Sequence, residues 1–114
     1  GTRIGKNCRI FPGAVLGGVP QDLKFAGEKS LVIIGDNTTI REFVTINRGS
    51  KDRWTTKVGN NCLIMAYSHI AHDCIIGDHS ILANNVNAQD GLMGINHSNT
   101  SQPSPAQARD GGVF

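Results

Sequence analysis

Every sixth residue between Ile4 and Leu82 follows one rule, with three exceptions. The series Ile4, Ile10, Leu16, Asp22, Glu28, Ile34, Ile40, Ile46, Asp52, Val58, Ile64, Ile70, Ile76, Leu82 holds eleven Ile, Leu or Val in fourteen positions. Those three types make up 25 of 114 residues, so chance would supply roughly three. A second series lies four residues further on: Cys8, Ala14, Thr38, Val44, Ser50, Cys62, Ser68, Cys74, Ser80 and Val86 are all small or medium. Gly follows the aliphatic residue at Gly5, Gly17, Gly35, Gly59 and Gly77. The unit is aliphatic-Gly-x-x-small-x.

Six residues hold one short strand and one bend. Three units make a triangular turn of a parallel β-helix, with the aliphatic residue pointing inward on each face. The small residue then fits near a tight corner, and Gly is expected to relieve the backbone at the bend. Stacked turns give every strand ladder partners above and below. An amphipathic helix would repeat at i, i+3, i+4 and i+7, and a sandwich would alternate between turns 8–12 residues apart. Neither pattern is present. The predicted fold class is all-β, a hexapeptide-repeat solenoid.

The exceptions Asp22, Glu28 and Asp52 cluster, which predicts two inserted loops, at about 17–33 and 47–57. The second holds the only Trp and four of the eleven basic residues. Long loops on a rigid scaffold commonly carry function. The predicted solenoid domain is 1–87. At 88–114 the sixth-residue positions become Ala88, Gly94, Thr100 and Ala106, and Ser101–Arg109 is rich in Gln, Pro, Ser and Ala. An atypical, disordered tail without helix or strand is expected there.

Composition narrows the function. A net charge of +2 argues against a dedicated nucleic-acid binder. The hydrophobic share of 39% excludes a wholly disordered chain. No run of 18 apolar residues exists to span a membrane, and no secretion signal opens the chain. Cys8, Cys62 and Cys74 show no CxxC spacing and are expected to be reduced, small apolar residues.

The candidate chemistry centres on Ser68-His69-Ile70-Ala71-His72-Asp73-Cys74. If Ile70 points inward, its strand neighbours point outward. An outward imidazole can act as a general base near neutral pH. Asp73 could orient it, but adjacent strand residues diverge, so that contact requires a bend. On spacing alone, a histidine on such a rung is usually just a solvated surface group. A zinc site of His69, His72 and His79 fits no defensible ligand pattern. Gln21, Asp22 and Lys24 on the first loop suit a polar ligand, with Asp22 accepting sugar hydroxyls and Lys24 facing phosphate. From composition alone, a solvated loop is the favoured reading. Asn84-Asn85 suit stacking along the coil, and Arg41, Glu42 and Arg48 suit solvated faces.

Together these strings resemble a known family. Gly17-Gly18-Val19-Pro20-Gln21-Asp22-Leu23-Lys24, Arg41-Glu42-Phe43-Val44-Thr45-Ile46-Asn47-Arg48-Gly49, Thr56-Lys57-Val58-Gly59, His69-Ile70-Ala71-His72-Asp73-Cys74 and Ile81-Leu82-Ala83-Asn84-Asn85 are similar, in order across 1–87, to the acyl-ACP–UDP-N-acetylglucosamine O-acyltransferases of lipid A biosynthesis. The resemblance implies a left-handed parallel β-helix, a homotrimer and a cytoplasmic enzyme. It implies transfer of an R-3-hydroxyacyl group from acyl carrier protein to the glucosamine 3-hydroxyl of UDP-N-acetylglucosamine, with no metal or organic cofactor. His72 matches the general base and Asp73 the acid beside it. His69 matches a substrate-contacting histidine, and Gln21, Asp22 and Lys24 match the loop that reaches the nucleotide sugar. Asn47 stands where many members place a substrate-binding histidine.

After Asn87 the family continues Leu-Ala-Gly-His, where a Gly amide is thought to hold the oxyanion; here the residues are Ala88-Gln89-Asp90-Gly91. The expectation is therefore a truncated middle portion of the enzyme with an unrelated tail and impaired activity. Rival readings are another hexapeptide acyltransferase, a non-catalytic β-helix module or, more remotely, a γ-type carbonic anhydrase.

Overall fold

The structure, a computed structural model, describes residues 1–89 and the strand 93–95. Its strands are β1 (Thr2–Ile4), β2 (Arg9–Ile10), β3 (Val15–Gly18), β4 (Leu31–Ile34), β5 (Thr39–Ile40), β6 (Thr45–Asn47), β7 (Thr55–Val58), β8 (Leu63–Ile64), β9 (His69–Ile70), β10 (Ile75–Ile76), β11 (Ile81–Leu82), β12 (Asn87–Ala88) and β13 (Met93–Ile95). They form three sheets in the orders β1-β4-β7-β10-β13, β2-β5-β8-β11 and β3-β6-β9-β12. All strand pairs are parallel. Each strand thus pairs with the one a full turn away. The chain is a parallel β-helix, as the hexapeptide period predicts, and it is left-handed, as the resemblance implies.

The sixth-residue series forms three inward columns. Ile4, Ile34, Val58 and Ile76 stack on the first face, Ile10, Ile40, Ile64 and Leu82 on the second, and Leu16, Ile46, Ile70 and Ala88 on the third. From Ile34 onward these side chains are essentially inaccessible to water. Burial of each Ile, Leu or Val among them gains about 1.5–3 kcal/mol, which offsets the ordering of short strands. Ala88 extends the third column although it falls in the expected tail. A series restricted to Ile, Leu and Val could not register a small apolar residue there. β13 pairs with β10, so the ladder runs beyond Asn87, contrary to an expectation of no strand. The rest of the expected tail lies outside the described residues.

Between faces the chain turns corners. Residues in a left-handed conformation mark them: Asn7, Asn37, Asn61 and His79 at the first corner, Gly13, Phe43, Tyr67 and Asn85 at the second, and Gly27, Trp54 and Asp73 at the third. Asn tolerates that region better than most residues, which suits four of the ten Asn to these bends. The glycine after the aliphatic residue is therefore not generally the bend. Gly5, Gly35 and Gly59 do not have positive φ. They allow close stacking instead: a Cβ on Gly35 would lie 2.7 Å from the Gly59 carbonyl carbon. The small residues cap this stack, with Thr38 Oγ1 donating to Gly59 O at 2.8 Å and Ser68 Oγ to Ala83 O at 2.9 Å.

Both loops leave from the third corner. Residues 19–30 join β3 to β4 and 48–54 join β6 to β7, so the strand ends take in the outermost residues of each expected loop. The next coil crosses the same corner directly, through Ala71-His72-Asp73-Cys74. Among the described residues no helix is long and apolar enough to cross a membrane.

Candidate functional site

Two consecutive loops and a tight turn share one corner, and the site forms where they meet. His69 stands on the outer side of β9, opposite buried Ile70. Two residues later the turn begins. Asp73 adopts φ 66°, and this bend brings adjacent side chains together: His72 Nδ1 lies 2.8 Å from Asp73 Oδ2. The bend that such a contact demands is thus present.

Asp73 is 1% exposed yet well supplied with donors. Its Oδ1 accepts the backbone N–H of Ser50 at 2.9 Å and of Arg53 at 3.2 Å. Its Oδ2 accepts the Ser50 hydroxyl as well as His72. Its own N–H donates to Thr56 Oγ1 at 2.8 Å. Burial pushes the Asp73 carboxyl up, but the hydrogen bonds from Ser50, His72 and Arg53 outweigh it and hold the group below the usual carboxylate range. An ionised carboxylate only accepts, so the neutral His72 ring carries its proton on Nδ1. The basic lone pair is then on Nε2, which lies 3.7 Å from Asp22 Oδ2.

The first loop is shaped to present Asp22. Asp22 Oδ1 accepts the Lys24 N–H at 3.0 Å, and Phe25 N–H donates to Asp22 O at 2.9 Å. This turn leaves Oδ2 directed at His72. The Arg48 guanidinium lies 5.1 Å from the Phe25 ring centre, tying the loop to the end of β6.

Gln21, Asn47, His69, His72, Asn87 and Gln89 line a cleft of about 240 Å³ beside this corner. Four of the residues expected to bind or act therefore share one space, and Asp22, which lines the neighbouring hollow, comes within 3.7 Å of His72. Lys24 does not line it. Lys24 borders a neighbouring hollow of about 110 Å³ with Asp22, Phe25 and Ser50. A larger hollow of about 400 Å³, between Gly1 and Arg48, contains none of these histidines. His69 Nδ1 lies 2.7 Å from Thr45 Oγ1. Burial lowers the His69 pKa and the neighbouring His72 lowers it further, against a smaller opposing effect of Thr45.

Sequence reasoning missed Ser50, Asn87 and Gln89. Ser50 was visible only as a small corner residue. Asn87 is signalled by its register with His69 one coil away, which the hexapeptide period supplies. Gln89 fell in the expected tail. His79 lies at the first corner, apart from His69 and His72, and among the described residues no three His, Cys, Asp or Glu side chains gather to hold a metal.

Comparison with known proteins follows the same lines. Residues 55–87 match the family described as bacterial transferase hexapeptide (six repeats). The chain is 55% identical over 85 residues to an acyl-[acyl-carrier-protein]–UDP-N-acetylglucosamine O-acyltransferase of Gloeothece citriformis, covering 75% of this chain and 31% of that protein. It is 57% identical over 84 residues to the protein of that name from Helicobacter pylori, covering 73% and 31%. The crystal structure of a UDP-N-acetylglucosamine acyltransferase from Bacteroides fragilis superposes with TM-score 0.75 at 55% identity, covering 76% of this chain and 34% of that one. The chain spans about a third of the length of the relatives it matches.

Proposed function

We propose, from the premise that this chain is homologous to part of the acyl-[acyl-carrier-protein]–UDP-N-acetylglucosamine O-acyltransferases, that its third corner is the base-bearing part of that acyl-transfer site. The observation that carries the reading is the His72–Asp73 pair, bent into contact at a cleft that also holds Gln21, Asn47 and His69. The reaction moves an R-3-hydroxyacyl group from acyl carrier protein to the glucosamine 3-hydroxyl of UDP-N-acetylglucosamine, the opening step of lipid A synthesis, in the cytoplasm. His72 Nε2 takes the hydroxyl proton as the oxygen attacks the thioester carbonyl. Collapse of the tetrahedral intermediate expels the carrier thiolate, which receives the proton from His72. Asp73 holds the imidazole in its Nδ1–H form and stabilises the imidazolium.

Asp22 accepts a hydroxyl of the sugar at the edge of the cleft. Gln21, Asn47 and His69, the last kept neutral by burial, supply further polar contacts. Lys24 meets the phosphates from the adjoining hollow. The acting form is a homotrimer, in which a cleft between subunits completes the nucleotide-sugar site.

The test is acyl transfer with R-3-hydroxyacyl carrier protein and UDP-N-acetylglucosamine, read by mass spectrometry of the nucleotide sugar. His72→Ala is expected to lower the rate about 10²–10⁴-fold while circular dichroism and Tm stay with the parent. A folded His72→Ala protein of undiminished rate overturns the role of His72. Transfer only to an amine or another nucleotide sugar, or from acetyl-CoA alone, overturns the substrate assignment.

A further inference from the structure

At ordinary corners the small residue of the repeat donates its hydroxyl to a backbone carbonyl, of the neighbouring coil for Thr38 and Ser68 and of its own coil for Ser80. Ser50 belongs to the same series but does something else. It is 5% exposed, and its hydroxyl meets Asp73 Oδ2, the oxygen that also faces His72. The donation that caps a carbonyl elsewhere is here redirected onto a carboxylate.

The second loop makes that redirection geometrically necessary. Asp52 N–H donates to Ser50 Oγ at 3.2 Å, filling a lone pair and turning the hydroxyl hydrogen toward Asp73. Trp54 N–H donates to Ser50 O at 2.6 Å and closes the turn. Within the same turn, the Ser50 and Arg53 N–H groups hold Oδ1. Residues 50–53 therefore form a three-donor seat, and only one of the three donors comes from a side chain.

We propose that Ser50 is a positioning residue: through Asp73 it fixes the plane of the carboxylate and hence the orientation and tautomer of the His72 ring. The two backbone donors hold Oδ1 but leave residual rotation of the carboxylate about the Cβ–Cγ bond. Ser50 Oγ removes this freedom at Oδ2. The geometric claim concerns the imidazole itself and is measurable without turnover; its catalytic consequence rests on the role of His72 given above.

Ser50→Ala, Ser50→Cys and Ser50→Thr would be compared with the parent by long-range ¹H–¹⁵N NMR of the histidine rings, with His72→Gln assigning the signals. The parent is expected to show neutral His72 almost wholly as the Nδ1–H form. Ser50→Ala is expected to reduce the Nδ1–H to Nε2–H ratio at least about threefold. Its kcat for acyl transfer is expected to fall about tenfold, the scale of one charge-assisted hydrogen bond, with KM nearly unchanged. Ser50→Thr, which keeps the hydroxyl, is expected to restore both values. Ser50→Cys keeps the size but offers a weaker donor, and it replaces Ser50→Ala should the latter fail to fold. A folded Ala or Cys variant with the parent tautomer ratio overturns the proposal. If the parent transfers no acyl group, the functional reading fails, while the tautomer ratio still decides the role of Ser50.

Discussion

The first and third corners are made by the same backbone and do opposite things. Asn61 at the first and Asp73 at the third take nearly the same left-handed conformation, with φ of 58° and 66°. At the first corner every coil repeats its neighbour. Lys6 N–H donates to Asp36 Oδ1 at 2.8 Å, Asp36 N–H to Asn60 Oδ1 at 2.7 Å, and Asn60 N–H to Asp78 Oδ1 at 2.7 Å. These polar groups are consumed in joining one coil to the next. At the third corner two loops break the repeat, and Asp73 is met by loop donors while His72 is turned to a cleft. Regular stacking uses up hydrogen-bonding capacity in building the solenoid. An interrupted stack leaves side chains available to a ligand.

The sharpest way to break this comparison is to exchange the amide and the acid at the two bends. Asp73→Asn keeps a residue suited to φ near 66° but removes the charge that fixes His72. Its expected loss is about 10²–10⁴-fold in acyl-transfer rate, of the order seen when an orienting carboxylate is neutralised beside a catalytic histidine. Asn61→Asp puts the acid at an exposed first-corner bend, and its expected effect on stability is within about 0.5 kcal/mol. Kinetics for the first substitution and urea unfolding for the second check the pair. Comparable behaviour of both variants would remove the distinction between the corners.

The next effect is structural and should fall on the first corner alone. A Cβ at Gly59 would lie 2.8 Å from Asp78 N and would also collide with the Asp78 carboxylate. Backbone cannot yield as a side chain end can. Gly59→Ala is expected to lower stability by about 1–3 kcal/mol, the cost of overpacking. KM and kcat of the remaining folded protein should hold. A stabilised variant would show that this glycine serves conformation rather than close approach.

The solenoid was legible because its physics is periodic. Ile34, Ile40 and Ile46 recur every six residues, and their inward positions follow directly. The aspect that misled was the function of a residue type shared by two needs. Glycine suits both a left-handed bend and a close contact, and composition does not separate them; Asn7 and Asn37 took the bend and Gly5 and Gly35 the contact. Ala88 was missed because the inward column accepts a side chain smaller than the pattern demanded. The histidine-acid pair could be proposed from sequence, but its contact depended on Asp73 bending. Ser50 reaches Asp73 across 23 residues through a loop without a period, so no spacing rule pointed to it.

The smallest expected effect separates the corners by acid titration. The folded pKa of Asp73 is depressed, so its contribution is complete above the unfolded carboxylate range, about 3.9. That contribution is lost as pH falls through the lower folded value. His69 is also depressed, but here the fold favours the neutral ring, chiefly through burial. The unfolded chain binds that proton first, so stability begins to fall as pH drops through about 6.5, well before Asp73 protonates. Unfolding midpoints measured from pH 7.5 to 3 should therefore decline in two stages. His69→Gln should flatten the upper stage and leave the lower, and Asp73→Asn should do the reverse. Asn61→Asp at the first corner should leave the upper stage unchanged, because no buried imidazole is involved. An upper stage of undiminished slope in His69→Gln would mean that the loss near neutral pH arises elsewhere, and that burial at the third corner costs the charged imidazole less than its position beside β9 implies.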